Sequence, residues 1–140
     1  MKVFKNCSGV VLYNQKNNSI YFGERADGQG WSFFGGKQEE GETLTETAVR
    51  ETFEECGVKL IVSDLHTVGI ASSIAKIRQT NSLVMTNIYF AYVNDVELKS
   101  NGEMKQFKEV KLDDLQFFID NYKLFGPTKS ALTMFIDKIS

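Results

Sequence analysis

The sequence predicts an α/β domain in which helices cover a mixed β-sheet, and three observations support this fold class. Short segments rich in β-branched and aromatic residues lie both before and after a strongly helical segment at residues 44–56. Two further segments, residues 113–121 and 128–139, carry apolar residues at helical spacing and end the chain. Strands before and after a helix, followed by terminal helices, are typical of a mixed sheet covered by helices.

The first predicted element is a β-hairpin. Residues Cys7 to Tyr13 (CSGVVLY) and Ser19 to Gly23 (SIYFG) read as strands, and the polar stretch NQKNN separates them. A third apolar stretch, Trp31 to Phe34, leads into the glycine pair Gly35-Gly36. After the helix, four further strands are expected: Val58 to Val62, Thr67 to Ile70, Ser82 to Val93 and an edge strand from Phe107 to Val110.

The helix predicted over Leu44 to Cys56 has clear start and stop signals. Thr43, with Glu46 three positions later, has the form of a capping box. Gly57 stands where a helix commonly ends. Near the end of the chain, Pro127 precedes the first turn of the last predicted helix, where its missing N–H costs little.

The first helix concentrates carboxylates on one face. At roughly 100° per residue, Glu51, Glu54 and Glu55 fall within an arc of about 100°. Like charges at this spacing repel by a few tenths of a kcal/mol per pair, so a compensating cation is expected. Either the carboxylate oxygens bind Mg²⁺, or the face is only a solvated acidic surface. The opposite side, which we expect to face the core, carries Val49, Phe53 and Cys56.

Composition excludes several classes of function. With 140 residues, of which 42% are hydrophobic, we expect a single domain over residues 1–140. A formal net charge of −2 predicts no general attraction to nucleic acid or to anionic membranes. No apolar run approaches the roughly 20 residues that span a bilayer, and two cysteines form no disulfide framework. We therefore expect a cytoplasmic monomer or homodimer.

The helix and the glycine pair together form a specific motif. Gly36, five residues, Glu42, seven residues and then RETFEECGV, residues 50–58, match the Nudix box at every Gly, Glu and Arg position. The sequence therefore resembles the Nudix hydrolases. Thr52 replaces an aliphatic residue on the predicted core side, and Phe34 stands where a proline often precedes the paired glycines.

This resemblance implies an α/β/α sandwich and a set of site residues. The metal ligands would be the carboxylates of Glu51, Glu54 and Glu55 and the carbonyl of Gly35. The metal would be Mg²⁺, for which Mn²⁺ can substitute. A later acidic residue usually completes the site, and Glu103 is preferred here over Glu109. The remaining residues implied are a structural pair, Glu42 and Arg50, and the substrate-binding residues Arg25, Lys37 and Phe34.

The implied activity is hydrolysis of a diphosphate linkage in a small nucleotide. Water attacks a phosphoanhydride poorly until metal ions neutralise its charge. The candidate catalytic residues are Glu51, Glu54 and Glu103, and the sequence leaves open whether Glu54 or Glu103 accepts the proton. Small relatives with GGK and GE at the box favour a nucleoside triphosphate, sometimes an oxidised purine nucleotide, as substrate. The alternatives are nucleotide sugars, ADP-ribose, dinucleoside polyphosphates and a non-catalytic nucleotide sensor.

Overall fold

A computed structural model describes residues Met1 to Ser140 and contains seven β-strands and three α-helices. The strands are β1 (Lys2–Asn14), β2 (Ser19–Arg25), β3 (Trp31–Ser32), β4 (Phe34–Lys37), β5 (His66–Ile77), β6 (Thr80–Tyr92) and β7 (Met104–Lys111). The helices are α1 (Leu44–Cys56), α2 (Leu115–Asn121) and α3 (Thr128–Ile139), with short 3₁₀ turns at Val62–Asp64 and Leu112–Asp114. None of the helices has the length and apolar character that crossing a membrane requires.

All seven strands belong to one mixed sheet, whose main order is β3-β2-β1-β6-β5. Strand β1 is central because it pairs in parallel with β6 and antiparallel with both β2 and β4. The predicted hairpin is present, with Tyr13 opposite Ile20. Strand β7 pairs with β2 alone, which confirms the edge strand expected around Phe107 to Val110. The apolar stretch Trp31 to Phe34 is divided between β3 and β4, which have different partners.

Helices cover both faces of this sheet. Alternate residues of β1 enter opposite core clusters, as the period of two along a strand requires. Val11 belongs to the cluster that contains Phe135 of α3 and residues of α2. Val10 belongs to the other cluster, which contains Ala48 of α1. The α/β/α sandwich is thereby confirmed.

Helix α1 begins and ends where the sequence predicts. The N–H of Glu46 donates to the Thr43 hydroxyl at 3.2 Å, and the Glu46 carboxylate accepts from the Thr43 N–H at 2.8 Å. Gly57 ends the helix with a φ of 78°, in the left-handed region. A residue with a side chain is strained in that region, which explains why a glycine ends the helix.

The prediction that Phe53 belongs to the core face of α1 is wrong. Its side chain is 55% exposed, whereas Thr52 is fully buried and Glu55 is only 5% exposed. The helix packs through small residues, including Ala48, so that its axis lies close to the sheet. This close packing turns part of the carboxylate face inward and leaves the bulky phenylalanine ring at the surface. Cys56 is buried, as predicted.

The strand predicted over Val58 to Val62 is also absent. Val58 and Leu60 are buried in the second core cluster, while Ile61 is 61% exposed. Such alternation arises whenever an extended segment lies on a core, whether or not a neighbouring strand pairs with it. The Asp64 carboxylate then accepts from the Ile61 N–H at 2.8 Å, and the chain turns into a short 3₁₀ segment.

Strands β5 and β6 form a hairpin longer than the predicted strands Thr67 to Ile70 and Ser82 to Val93. Ile77 lies opposite Thr80, so the turn has only two residues, Arg78 and Gln79. Their φ angles are 50° and 64°. Such two-residue turns normally contain Asn or Gly, because other residues lose about 1–2 kcal/mol each in the left-handed region. The hairpin tip is therefore a strained part of the backbone.

We predict that Gln79→Gly increases the free energy of unfolding. Relief of about 1–2 kcal/mol of left-handed strain outweighs the added chain entropy of the unfolded glycine variant, about 0.5–1 kcal/mol. Urea denaturation of the wild type and the variant measures the difference. Gln106→Gly, at a position of strand β7 without a positive φ, is the control and should lower stability. A Gln79→Gly variant less stable than wild type would contradict the strained turn.

Candidate active site

Strand β4 brings two glycines against β1 and α1. A Cβ added to Gly35 would lie 2.0 Å from the Ser8 carbonyl oxygen, and one added to Gly36 would lie 2.5 Å from Cδ of Glu51. The contact at Gly35 is with backbone, so that position requires glycine, whereas a side chain at position 36 would displace the Glu51 carboxylate. The glycine pair therefore allows helix α1 to approach the strand closely enough for its carboxylates to reach the backbone of β4.

Three carboxylates meet beside this glycine pair. Carboxylate oxygens of Glu51, Glu55 and Glu103 lie within 4.8 Å of one another. Glu103 comes from the loop before β7 and is exposed, whereas Glu55 is buried. This group, the acidic cluster, combines two residues of one helix with a third that is distant in sequence. Glu109, the alternative to Glu103, instead accepts hydrogen bonds from Ser19 and Asn17.

The acidic cluster concentrates like charge in a poorly solvated place. Burial raises the pKa of Glu55 to about 8, although the Gly35 N–H donates to its Oε1 at 2.6 Å and opposes the shift. Burial also raises the pKa of Glu51, against the effect of the Arg50 guanidinium. Charged carboxylates at such a site need a counter-charge. Oxygen donors at this spacing, cradled by a side-chain-free Gly36, fit a hard divalent cation.

Glu54 lies outside the acidic cluster. Its side chain is 41% exposed, and its carboxylate accepts from Nη1 of Arg50 at 3.2 Å. The structure therefore separates Glu54 from the other two glutamates predicted on the same face of α1. Its predicted role in metal binding would require the side chain to turn away from Arg50.

Arg50 ties the loop before α1 to the carboxylates of the helix. Its Nε and Nη2 donate to the two carboxylate oxygens of Glu42 at 2.5 and 3.0 Å. Its Nη1 donates to Glu51 at 2.8 Å, and its Nη2 also donates to the Lys37 carbonyl at 3.1 Å. The Arg50 guanidinium holds the pKa of Glu42 at about 2, well below its usual range. The predicted pair of Glu42 and Arg50 is thus in contact and forms the centre of a larger network.

A cavity of about 430 Å³ opens beside the acidic cluster. Glu55, Gly35 and Gly36 border it on one side. Its other walls come from β1, from the β5–β6 hairpin and from the start of α3, and they are largely apolar. The hydroxyl of Ser32 is buried at this wall and has no hydrogen-bond partner within the protein. Apolar walls with a few polar groups are typical of small-molecule sites of this size.

Arg25 lies in the cavity wall and is held from two sides. Its Nη2 donates to the Asp27 carboxylate at 2.6 Å, and its guanidinium carbon stands 4.0 Å from the centre of the Phe125 ring. The Arg25 hydrogen bond lowers the pKa of Asp27 to about 2. Sequence reasoning missed Asp27 and Phe125. The Asp-Gly turn signal in RADGQG could have drawn attention to Asp27, but nothing local connects Phe125 to Arg25.

The other two predicted substrate-binding residues lie at the border of the cavity. The side chain of Phe34 is fully buried and packs in the core, 6.0 Å from the Phe107 ring. Lys37 is exposed, and its ammonium group lies 5.0 Å from the centre of the Phe4 ring. Arg25, Lys37 and Phe34 therefore surround one cavity, although Phe34 contributes mainly to the core.

Comparison with known proteins agrees with this geometry. A family model described as the NUDIX domain matches residues 4–127. The chain belongs to the Nudix family. The Nudix domain of NrtR from Shewanella oneidensis, solved in complex with ADP ribose, is 15% identical to it. That alignment covers 100% of this chain and 91% of the other, with a TM-score of 0.76, and shows that the two share a fold.

Two curated relatives of this Nudix domain have names that refer to different substrates. Uridine diphosphate glucose pyrophosphatase of Mus musculus is 33% identical over 88 residues, 58% of this chain and 38% of the mouse protein. An RNA pyrophosphohydrolase of Wolbachia pipientis subsp. Culex pipiens (strain wPip) is 39% identical over 57 residues, 40% of this chain and 35% of the relative. The matched segments thus cover little more than a third of either relative.

We predict that Arg50→Ala lowers the melting temperature of the Nudix domain by a few degrees. Glu42 and Glu51 would both lose their guanidinium partner, and the Lys37 carbonyl at the end of β4 would lose its donor. Lys129→Ala removes an exposed helical cation that makes no ion pair and serves as the control. An equal melting temperature for Arg50→Ala and wild type would show that the Arg50 network consists of surface contacts that contribute little to stability.

Proposed function

We propose that this Nudix domain is a divalent-metal-dependent hydrolase of the diphosphate linkage in a nucleotide. The observation that carries the proposal is the acidic cluster at the border of a cavity large enough for a nucleotide base. An acidic helix face with no function would be solvated, whereas Glu55 is 5% exposed and Glu51 is close to Gly36. Burial of repelling carboxylates costs stability, and a bound cation would offset that cost.

Each proposed role rests on a position in the structure. Glu51 and Glu55 would hold the metal, with Glu103 beside them; the metal when bound neutralises phosphate charge and activates a water for attack. Arg50 orients Glu51 by a direct hydrogen bond, and the Gly35 N–H orients Glu55. The predicted participation of Glu54 and of the Gly35 carbonyl as further ligands belongs to the same proposal.

The proton acceptor is better placed at Glu103 than at Glu54. Glu103 is exposed and adjoins both other members of the acidic cluster. Glu54 is engaged by the Arg50 guanidinium, so its carboxylate is held away from the acidic cluster. A general base must lie within hydrogen-bond reach of the attacking water. Glu103 lies in a loop beside Glu51 and Glu55, where it would be within reach of such a water.

For the substrate we propose a nucleoside triphosphate cleaved to a monophosphate and pyrophosphate. The apolar cavity and the unpartnered Ser32 hydroxyl suit a base with a polar edge, and Arg25 is fixed by Asp27 and Phe125 in the wall where it can meet a phosphate. A nucleotide sugar is the second candidate, because one relative is a uridine diphosphate glucose pyrophosphatase by name.

A substrate panel tests this proposal. Purified protein with Mg²⁺ should convert at least one nucleoside triphosphate to monophosphate and pyrophosphate, and faster than UDP-glucose or ADP-ribose, with products separated by ion-exchange chromatography. Faster cleavage of UDP-glucose would show that a nucleotide sugar, and not a nucleoside triphosphate, is the preferred substrate. Nucleotide binding in a melting assay without any cleavage would instead identify a non-catalytic sensor.

We predict that Glu55→Gln has opposite effects on folding and chemistry. The amide oxygen can still accept from the Gly35 N–H, and a neutral amide replaces a carboxyl whose charged form burial disfavours, so the metal-free protein should be as stable as wild type or slightly more so. Turnover should fall by orders of magnitude because a metal ligand is lost. The rise in melting temperature that Mg²⁺ produces should also shrink.

Glu97→Gln is the matched control, since Glu97 is exposed and makes no ion pair. It should leave turnover and the Mg²⁺ response unchanged. Near wild-type turnover and an undiminished Mg²⁺ response in Glu55→Gln would show that the acidic cluster does not bind the catalytic metal.

A further inference from the structure

A second depression of about 360 Å³ lies at the tip of the β5–β6 hairpin. Three of its seven lining residues are the cations Lys2, Lys37 and Arg78, and none is acidic. This depression, the basic groove, shares Lys37 and Arg78 with the wall of the main cavity. Lys37 directly follows Gly36, which contacts Glu51 of the acidic cluster. The basic groove therefore adjoins the cavity close to the proposed metal site.

The cations of the basic groove have no counter-charge in the protein. Every ion pair of the chain involves Lys16, Arg25 or Arg50, so no carboxylate lies within 4.0 Å of Lys2, Lys37 or Arg78. Three of the seven residues that line this depression are thus cations, with no acidic residue among the other four. Such a concentration attracts an anion and raises its local concentration.

The backbone that presents Arg78 is strained. Arg78 and the following Gln79 both have positive φ angles, 50° and 64°. An Asn-Gly turn would join the same strands without this strain. Strained backbone is retained where the surrounding structure holds a residue in place for binding or catalysis. Strain at the tip and unpaired charge in the groove are independent observations that concern the same residue.

We propose that the basic groove binds a phosphate of the substrate that lies beyond the anhydride bond held at the acidic cluster. The proposal rests on the function proposed above and deepens it. In a nucleoside triphosphate this group is the terminal phosphate, which Lys37 and Arg78 of the groove lining would contact. A nucleotide sugar has an uncharged sugar there and would leave these cations unpaired. The basic groove thus selects a triphosphate chain over a sugar diphosphate.

Two asparagine variants of the turn test the basic groove. Asn tolerates positive φ angles, so Arg78→Asn and Gln79→Asn change the turn alike, but only the first removes a charge. We expect Arg78→Asn to raise KM for the best nucleoside triphosphate by about tenfold, as loss of a charge-assisted contact predicts. The inhibition constant of the corresponding nucleoside diphosphate should change less than about twofold, because a diphosphate lacks the terminal phosphate that the basic groove would bind. Arg78→Lys should restore the wild-type KM in large part, and Gln79→Asn should retain it.

A binding measurement makes the result independent of turnover. Inorganic tripolyphosphate should raise the melting temperature of the wild type, and this rise should shrink in Arg78→Asn but not in Gln79→Asn. Equal effects of Arg78→Asn on the nucleoside triphosphate and the nucleoside diphosphate, or no effect on either, would contradict phosphate binding in the basic groove. If the wild type cleaves no nucleotide, the proposed function fails, and the response of the two variants to tripolyphosphate still decides whether the basic groove binds phosphate.

Discussion

The close contact between helix α1 and the glycine pair of β4 is the constraint on which the proposed site depends. Because Gly36 has no side chain, Glu51 can approach the strand, and because the Gly35 N–H is free on that side, it can donate to Glu55. The same approach removes water from both carboxylates. Arg50 then stabilises the arrangement by bonding Glu51 and the loop residue Glu42 together. Helix, strand and loop are consequently one unit.

Charge is distributed along one continuous depression of the molecule. The acidic cluster borders the cavity that contains Arg25, and the basic groove shares Lys37 and Arg78 with that cavity. The nucleotide proposed as substrate has complementary parts: an apolar base, a diphosphate that needs cations, and further phosphates. Acidic and basic side chains are clustered separately here, so a chain with a formal net charge of −2 presents local fields of both signs.

Local patterns predicted the elements well and their surroundings less well. The capping box at Thr43 and the glycine at position 57 determine where α1 begins and ends, since both act within a few residues. Helical periodicity distinguished two faces of α1, but it did not show which face would pack on the sheet and which would face solvent. Phe53 was therefore predicted in the core, although it is exposed. Likewise, Val58 and Leu60 alternate with exposed residues because they pack against a core, and the predicted pairing with a neighbouring strand does not occur.

The sequence by itself determined the α/β class, helix α1, the glycine pair and the Nudix box, because each depends on residues close together along the chain. Only the tertiary structure decided that Glu103 joins Glu51 and Glu55, that Glu54 is engaged by Arg50, and that residues from β1, β4 and the β5–β6 hairpin form the basic groove. These groupings join residues far apart in sequence, and they follow from strand pairing and loop closure. No local propensity encodes such contacts, since they depend on the packing of the whole chain.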